Sequence, residues 1–121
     1  MNRYTFAKAG IDVNEGVHRF NDKQELYERF LRRFPENQHY FDEIEEGIME
    51  KNVEKAFQAA HALKGVAGNL SMNQLHADLV PLVEELRDGK IGNAPEFLPK
   101  VRESYEKAIE AVEKVYANEN A

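Results

Sequence analysis

His61 is the residue whose surroundings most suggest chemistry. It lies within Val53–Leu70, a stretch that reads as one long amphipathic helix. On a wheel of 100° per residue with His61 at zero, Val66, Ala59, Leu70, Leu63, Ala56, Ala67, Ala60 and Val53 fill one arc, from about 140° to about 280°. That arc is the expected core face, and His61 lies opposite its centre, so its imidazole should project into solvent. Gly65 follows one turn later and Gly68 two turns later. Each weakens a helix by ~1 kcal/mol relative to Ala, and a solvated face does not require either. Two glycines beside an exposed imidazole leave a bare strip of backbone that another protein could approach closely. Lys64 stands at i+3, within reach of a group attached to the ring. Phe57, at i−4, puts an aromatic ring on the flank, and Glu54, Gln58 and Asn69 complete a polar surround.

These residue types suit one chemistry. Neutral imidazole is a good nucleophile near pH 7. A phosphoryl group on a ring nitrogen would meet Lys64 through a charge-assisted hydrogen bond. The bland alternative is an ordinary surface histidine; two glycines and a lysine on the same stripe weigh against it. A second alternative is a metal-binding bundle. Glu15-Gly16-Val17-His18 and Glu36-Asn37-Gln38-His39 both spell Glu-x-x-His, the i, i+3 pair of di-iron carboxylate bundles. In a chain with 22 acidic residues such spacings arise by chance. Glu15 reads better as a capping residue, and Glu36 lies at a helix start beside Pro35. A third alternative is a non-catalytic helical adaptor. His18 and His39 read as surface residues, and His76 as structural or surface.

The elements that must position His61 read as helices throughout. Seven Gly and four Pro punctuate the chain, and no β-branched alternating run occurs. A first short helix runs from Asp12 to about Phe20, with Glu15 as the acidic end of a capping box. Asp22 with Glu25 repeats the pattern before a helix carrying Leu26, Phe30, Leu31 and Phe34, stopped by Pro35. A third helix spans about Asn37 to Glu50, with Phe41, Ile44, Ile48 and Met49 apolar. Asn52 caps the His61 helix. Ser71 and Gln74 start the next, with Leu75, Leu79, Leu82 and Leu86 in register and Pro81 inside it, expected to kink it or open one hydrogen bond. Asp88-Gly89 ends it. The last helix begins near Asn93-Ala94-Pro95 and carries Val101, Tyr105, Ala108, Val112 and Tyr116 inward. Phe30, Phe34, Phe41 and Tyr105 are expected core aromatics. Short connections imply antiparallel neighbours, hence an all-α, antiparallel four-helix bundle with short additional N-terminal helices.

Length and composition narrow the function classes. A chain of 121 residues with 42% hydrophobic side chains fits one domain, 1–121, with a tail at about 118–121 that has no reason to be ordered. No run approaches the ~20 apolar residues of a membrane span, and the start lacks a signal-peptide apolar region. The absence of cysteine removes thiolate chemistry, Cys-ligated zinc and disulfides, and fits a cytoplasmic protein. A net charge of −6 argues against general nucleic-acid binding, which rests on basic side chains. Neither a G-x-x-x-x-G-K-[ST] nor a G-x-G-x-x-G run is present, so phosphohistidine formed from ATP by this chain alone is not expected.

Ala60-His61-Ala62-Leu63-Lys64-Gly65-Val66-Ala67-Gly68-Asn69-Leu70 resembles the signature helix of the histidine-containing phosphotransfer (HPt) domain, whose usual pattern is His-x-Leu-Lys-Gly followed by small residues. The resemblance extends upstream through Gly10–Phe20 and Glu25-Leu26-Tyr27, and downstream to the Leu75/Leu79/Leu82/Leu86 helix. It implies a phosphorelay intermediate of two-component signalling without kinase activity of its own. His61 would accept a phosphoryl group from a receiver-domain aspartate and pass it to another receiver, and Lys64 would steady that group. Gly65 and Gly68 would clear a docking face shared with Phe57, Gln58, Asn69 and, from the first helix, Ile11 and Val13. The implied partners are receiver domains of hybrid histidine kinases and response regulators. No cofactor or metal of its own is implied, since Mg²⁺ would come with the receiver, and a monomer is expected. Two positions depart from the family pattern. Val83 stands where many members carry a Gln or Glu that hydrogen-bonds the imidazole. Ser71 stands where Gly is common, and reads as a helix cap.

Overall fold

The computed structural model describes residues 2–117, which form seven α-helices and one 3₁₀ turn. The expected tail at 118–121 lies outside the described residues. The helices are α1 (Arg3–Lys8), α2 (Val13–Arg19), α3 (Gln24–Arg32), α4 (Gln38–Met49), α5 (Val53–Asn69), α6 (Asn73–Arg87) and α7 (Ala94–Tyr116), with the 3₁₀ turn Phe34–Asn37 leading into α4. Four of them make the bundle. α4 packs on α5, α5 on α6, α6 on α7, and α7 returns to α4. The connections Glu50–Asn52, Leu70–Met72 and Asp88–Asn93 are too short to let neighbours run parallel. α1 and α3 pack on α7.

Local sequence explains most boundaries. Asn2, Asp12 and Asn52 each cap a helix, their side-chain oxygens accepting from the amides of Thr5, Glu15 and Lys55 at 3.0, 3.0 and 3.1 Å. The core is a continuous cluster in which Leu63, Leu75, Leu79, Leu82 and Val101 are fully buried or nearly so. In α5 the buried residues are Ala56, Ala59, Ala60, Leu63 and Ala67, with Leu70 just beyond its end, while Val53 and Val66 sit half-buried at the edges of the expected arc. Polar cross-links tie elements of the bundle together. Arg102 of α7 pairs with Glu45 of α4. The Tyr105 hydroxyl donates to Gln38 at 2.7 Å, and burial pushes this phenol up to about 12. Lys55 of α5 reaches Glu46 and Glu50 at the end of α4, both at 3.1 Å.

Several expectations are corrected. The segment before Asp12 forms α1, which the apolar pattern did not signal because it buries Phe6 alone. Asp22 does not cap α3. It and Asn21 have positive φ, and its carboxylate meets His18 Nδ1 at 3.3 Å, leaving Lys23 as an N-cap without a side-chain bond. Phe30 is 47% exposed and Met49 84% exposed, whereas Tyr27 is the fully buried aromatic of α3. As the pattern places it, Pro81 lies inside α6, and Pro99 lies inside α7; both are on an exposed side, where a missing amide donor leaves no buried group unpaired.

Ser71 is also not a cap. Five helices here end in one closure, with the residue after the C-cap at positive φ: Gly10, Asn21, Lys51, Ser71 and Gly89. At the end of α5 the Ser71 amide donates to Gly68 at 3.2 Å and the Met72 amide to Ala67 at 2.8 Å. Ser71 holds this shape at φ +54° while fully buried, and its hydroxyl has no hydrogen-bond partner among the described residues. A left-handed non-glycine residue costs ~1–2 kcal/mol and a buried unpaired hydroxyl adds to that. Ser71→Gly is therefore expected to stabilise the fold by ~1 kcal/mol, seen as a rise of about 3–6 °C in Tm. An unchanged or lower Tm would mean that the strain is relieved elsewhere.

Candidate functional site

α5 carries the candidate residues, and its packing decides which of them reach solvent. One flank lies against α4, where Lys55 is engaged by the two glutamates. The other lies against α6. Between them runs an outer strip on which Glu54, Gln58, His61, Gly65 and Asn69 are all exposed. His61 sits at its middle, eight residues from Val53 and eight from Asn69, and no hydrogen bond or ion pair reaches its ring among the described residues. Its one ring neighbour is Phe57, stacked at 5.6 Å between centroids and 14° between planes. Lys64, one turn on, is half-buried and has no ion-pair partner among the described residues. With no such partner, its ammonium is available for an incoming anion.

The two glycines differ. A Cβ built on Gly65 would meet nothing within 4 Å, so this turn is open backbone. A Cβ on Gly68 would lie 3.3 Å from Cδ2 of His76 on α6, so Gly68 is half-buried and serves the α5–α6 contact as well as the strip. His76 is accordingly half-buried, with its ring edge against α5.

Ile11 and Val13 are corrected as docking residues. They are 1% and 3% exposed. Ile11 makes a single antiparallel bridge to Met72, and the Asp12 amide donates to Ser71 at 2.9 Å. This segment therefore locks the turn after α5 and offers its apolar side chains to the core. The apolar surface next to the strip comes instead from α3 and the end of α2. Phe30 and Phe20 line a groove of about 660 Å³ with Val66 and Asn69 of α5, rimmed by Arg19 and Arg33. Spacing alone does not signal the groove, because it places Phe30 among the core residues.

Arg87 was also missed. Its guanidinium stands 5.9 Å over the Phe57 ring and 4.0 Å from Glu84. Antiparallel pairing could have found it. If Gly68 faces His76, each step back along α5 matches one forward along α6, and Phe57 arrives opposite Arg87. The same count brings His61 to the level of Val83, which is fully buried and carries no polar group. The histidines of the Glu-x-x-His pairs lie elsewhere. His39 Nδ1 is 3.1 Å from the Glu36 carbonyl, and His18 meets Asp22. Among the described residues no three His, Asp or Glu side chains come together as a metal-ligand group. Nor is any described helix long and apolar enough to cross a membrane.

The family model of the Hpt domain matches residues 25–114, from α3 into the last turns of α7. No curated protein and no solved structure matches the chain significantly.

Proposed function

This chain belongs to the Hpt domain family, whose general role is histidine phosphotransfer in phosphorelays, and we propose on that ground that His61 is its phosphoryl carrier. A ring nitrogen of His61 attacks the phosphorus of a receiver domain's aspartyl phosphate. The N–P bond forms as the acyl P–O bond breaks, and the aspartate leaves as a carboxylate. The second transfer runs the same step in reverse onto another receiver. Lys64 supplies a charge-assisted hydrogen bond to the phosphoryl oxygens. Mg²⁺ comes with the receiver's own acidic site. The chain acts as a phosphocarrier rather than an ATP-dependent kinase, as a cytoplasmic monomer between receivers of hybrid kinases and response regulators.

The observation that carries this reading is the exposed imidazole at the centre of a long helix, one turn from open backbone at Gly65. A receiver must bring its aspartate within bonding distance of the ring, and any bulk on that turn would hold the two surfaces apart. Gln58, Gly65 and Asn69 form the near part of the docking face, Gly68 its edge, and the Phe20/Phe30 groove its apolar continuation.

The experiment is transfer from a receiver domain phosphorylated on its aspartate, with Mg²⁺ present. Labelling of this chain by the phosphorylated receiver, and none by ATP alone, is expected. Gly65→Leu tests the docking face. Leucine favours helix over glycine, and its Cβ meets nothing within 4 Å at this exposed position, so the variant should melt at or slightly above the parent temperature. Its transfer rate should nevertheless fall at least 10-fold by steric exclusion. Equal rates for variant and parent would show that the receiver docks elsewhere.

A further inference from the structure

Val83 leaves a gap in the design of the site. A histidine that must attack in line needs its ring held in one rotamer, and a misplacement of about 1 Å can cost 100-fold. Here the level of α6 facing His61 presents a buried aliphatic side chain, and no described polar group bonds the imidazole. What does touch the ring is Phe57, nearly parallel to it, on the preceding turn of the same helix. Phe57 is half-buried against the core rather than free in solvent. Its own position is fixed from the neighbouring helix by the Arg87 guanidinium over its ring. Arg87 in turn leans on Glu84, one turn back in α6. Stacking between aromatic rings and a cation over a ring face are both favourable and orientation-dependent.

We propose that Phe57, held by Arg87, is the positioning residue of His61, replacing a hydrogen bond with a stacked ring. The inference rests on the reading of His61 as the phosphoryl carrier. It gives Phe57 a role other than docking: the ring faces the imidazole and the arginine, so its contribution falls on the orientation of the nucleophile. A stack also leaves both ring nitrogens without a partner among the described residues, so either one is open to the phosphoryl donor and to water.

Two measurements on the full chain test this. The first is the NMR position of the His61 ring protons, which a stacked aromatic ring displaces. Phe57→Leu should move them toward their unstacked values, Phe57→Tyr should leave them in place, and Arg87→Gln should move them part of the way. The second is transfer from a phosphorylated receiver domain, resolved into a maximal rate and a half-saturating receiver concentration. Phe57→Leu should lower the maximal rate about 3- to 10-fold with half-saturation unchanged. Arg87→Gln should lower it about 2- to 5-fold, and Phe57→Tyr should restore it. Raised half-saturation with an unchanged maximal rate would make Phe57 a docking contact and overturn the proposal. So would ring protons or rates that ignore the Phe57→Leu change. A parent chain that takes no label at all overturns the phosphocarrier reading, and the positioning role falls with it, even where the ring-proton shifts confirm the stack.

Discussion

A His61→Gln variant folds as the parent does and takes up no phosphoryl label from a phosphorylated receiver domain. The folding half follows from where His61 sits. It is exposed, bonded to nothing polar among the described residues, and in contact with one ring, that of Phe57. Glutamine favours helix more than histidine does, and an exposed substitution usually costs within ~0.5 kcal/mol, so the melting temperature should stay within about 3 °C. The chemical half is absolute rather than graded. The glutamine amide nitrogen has no free lone pair for the attack on phosphorus, and no second histidine lies on the exposed strip of Glu54, Gln58, Gly65 and Asn69. In the parent, the label should be lost in acid and persist in base, as an N–P bond requires, whereas a phosphoserine would persist in acid. Label remaining on His61→Gln, or mapping to His18, His39 or His76, would move the carrier site elsewhere. His76 is the informative control, because it borders the same helix at Gly68.

His61 and its exposure were legible in the sequence because a helix wheel needs only spacing. The core arc of α5 was legible for the same reason, as was the cap at Asn52. Features that depend on what two elements do to each other were not. In α3 the apolar stripe did not decide between Phe30 and Tyr27. Tyr27 goes in because its hydroxyl finds the Leu70 carbonyl at 2.8 Å, and its ring lies over Gly16, where any Cβ would collide. That burial also pushes the phenol pKa well up. Phe30 is displaced to the groove as a result. Ile11 and Val13 looked like an exposed apolar edge, since nothing local says that their strand-like turn pairs with Met72, sixty-one residues from Ile11. Arg87 and Phe57 are thirty residues apart, and each alone looks like an ordinary surface side chain. Ser71 carries a cap-forming side chain, but its backbone is claimed first by the closure of α5, which leaves its hydroxyl facing inward.

Gly47→Ala is expected to destabilise the bundle by ~2 kcal/mol, against the sign that helix propensity alone gives. Gly47 lies inside α4, two residues before its end, and replacing a mid-helix glycine by alanine ordinarily gains up to ~1 kcal/mol. At this position, however, the Cβ would stand 2.7 Å from the Ala56 backbone nitrogen and 2.9 Å from both its Cα and Cβ. The obstacle is main chain of α5, so no side chain can rotate aside. The two helices must separate, and they carry His61 on one side of the contact and the Lys55–Glu46–Glu50 cluster on the other. Overpacking of this kind costs ~1–3 kcal/mol or more, which exceeds the propensity gain. Gly65→Ala supplies the opposite case on the next helix, since nothing stands within 4 Å of its Cβ, and there the propensity gain of ~1 kcal/mol should appear undiminished. Thermal or urea unfolding of the two variants beside the parent should therefore give shifts of opposite sign, a fall of about 6–12 °C for Gly47→Ala and a rise of a few degrees for Gly65→Ala. A Gly47→Ala variant as stable as the parent would mean that α4 and α5 do not approach backbone to backbone at Ala56. The helix presenting His61 would then be held by its side chains alone.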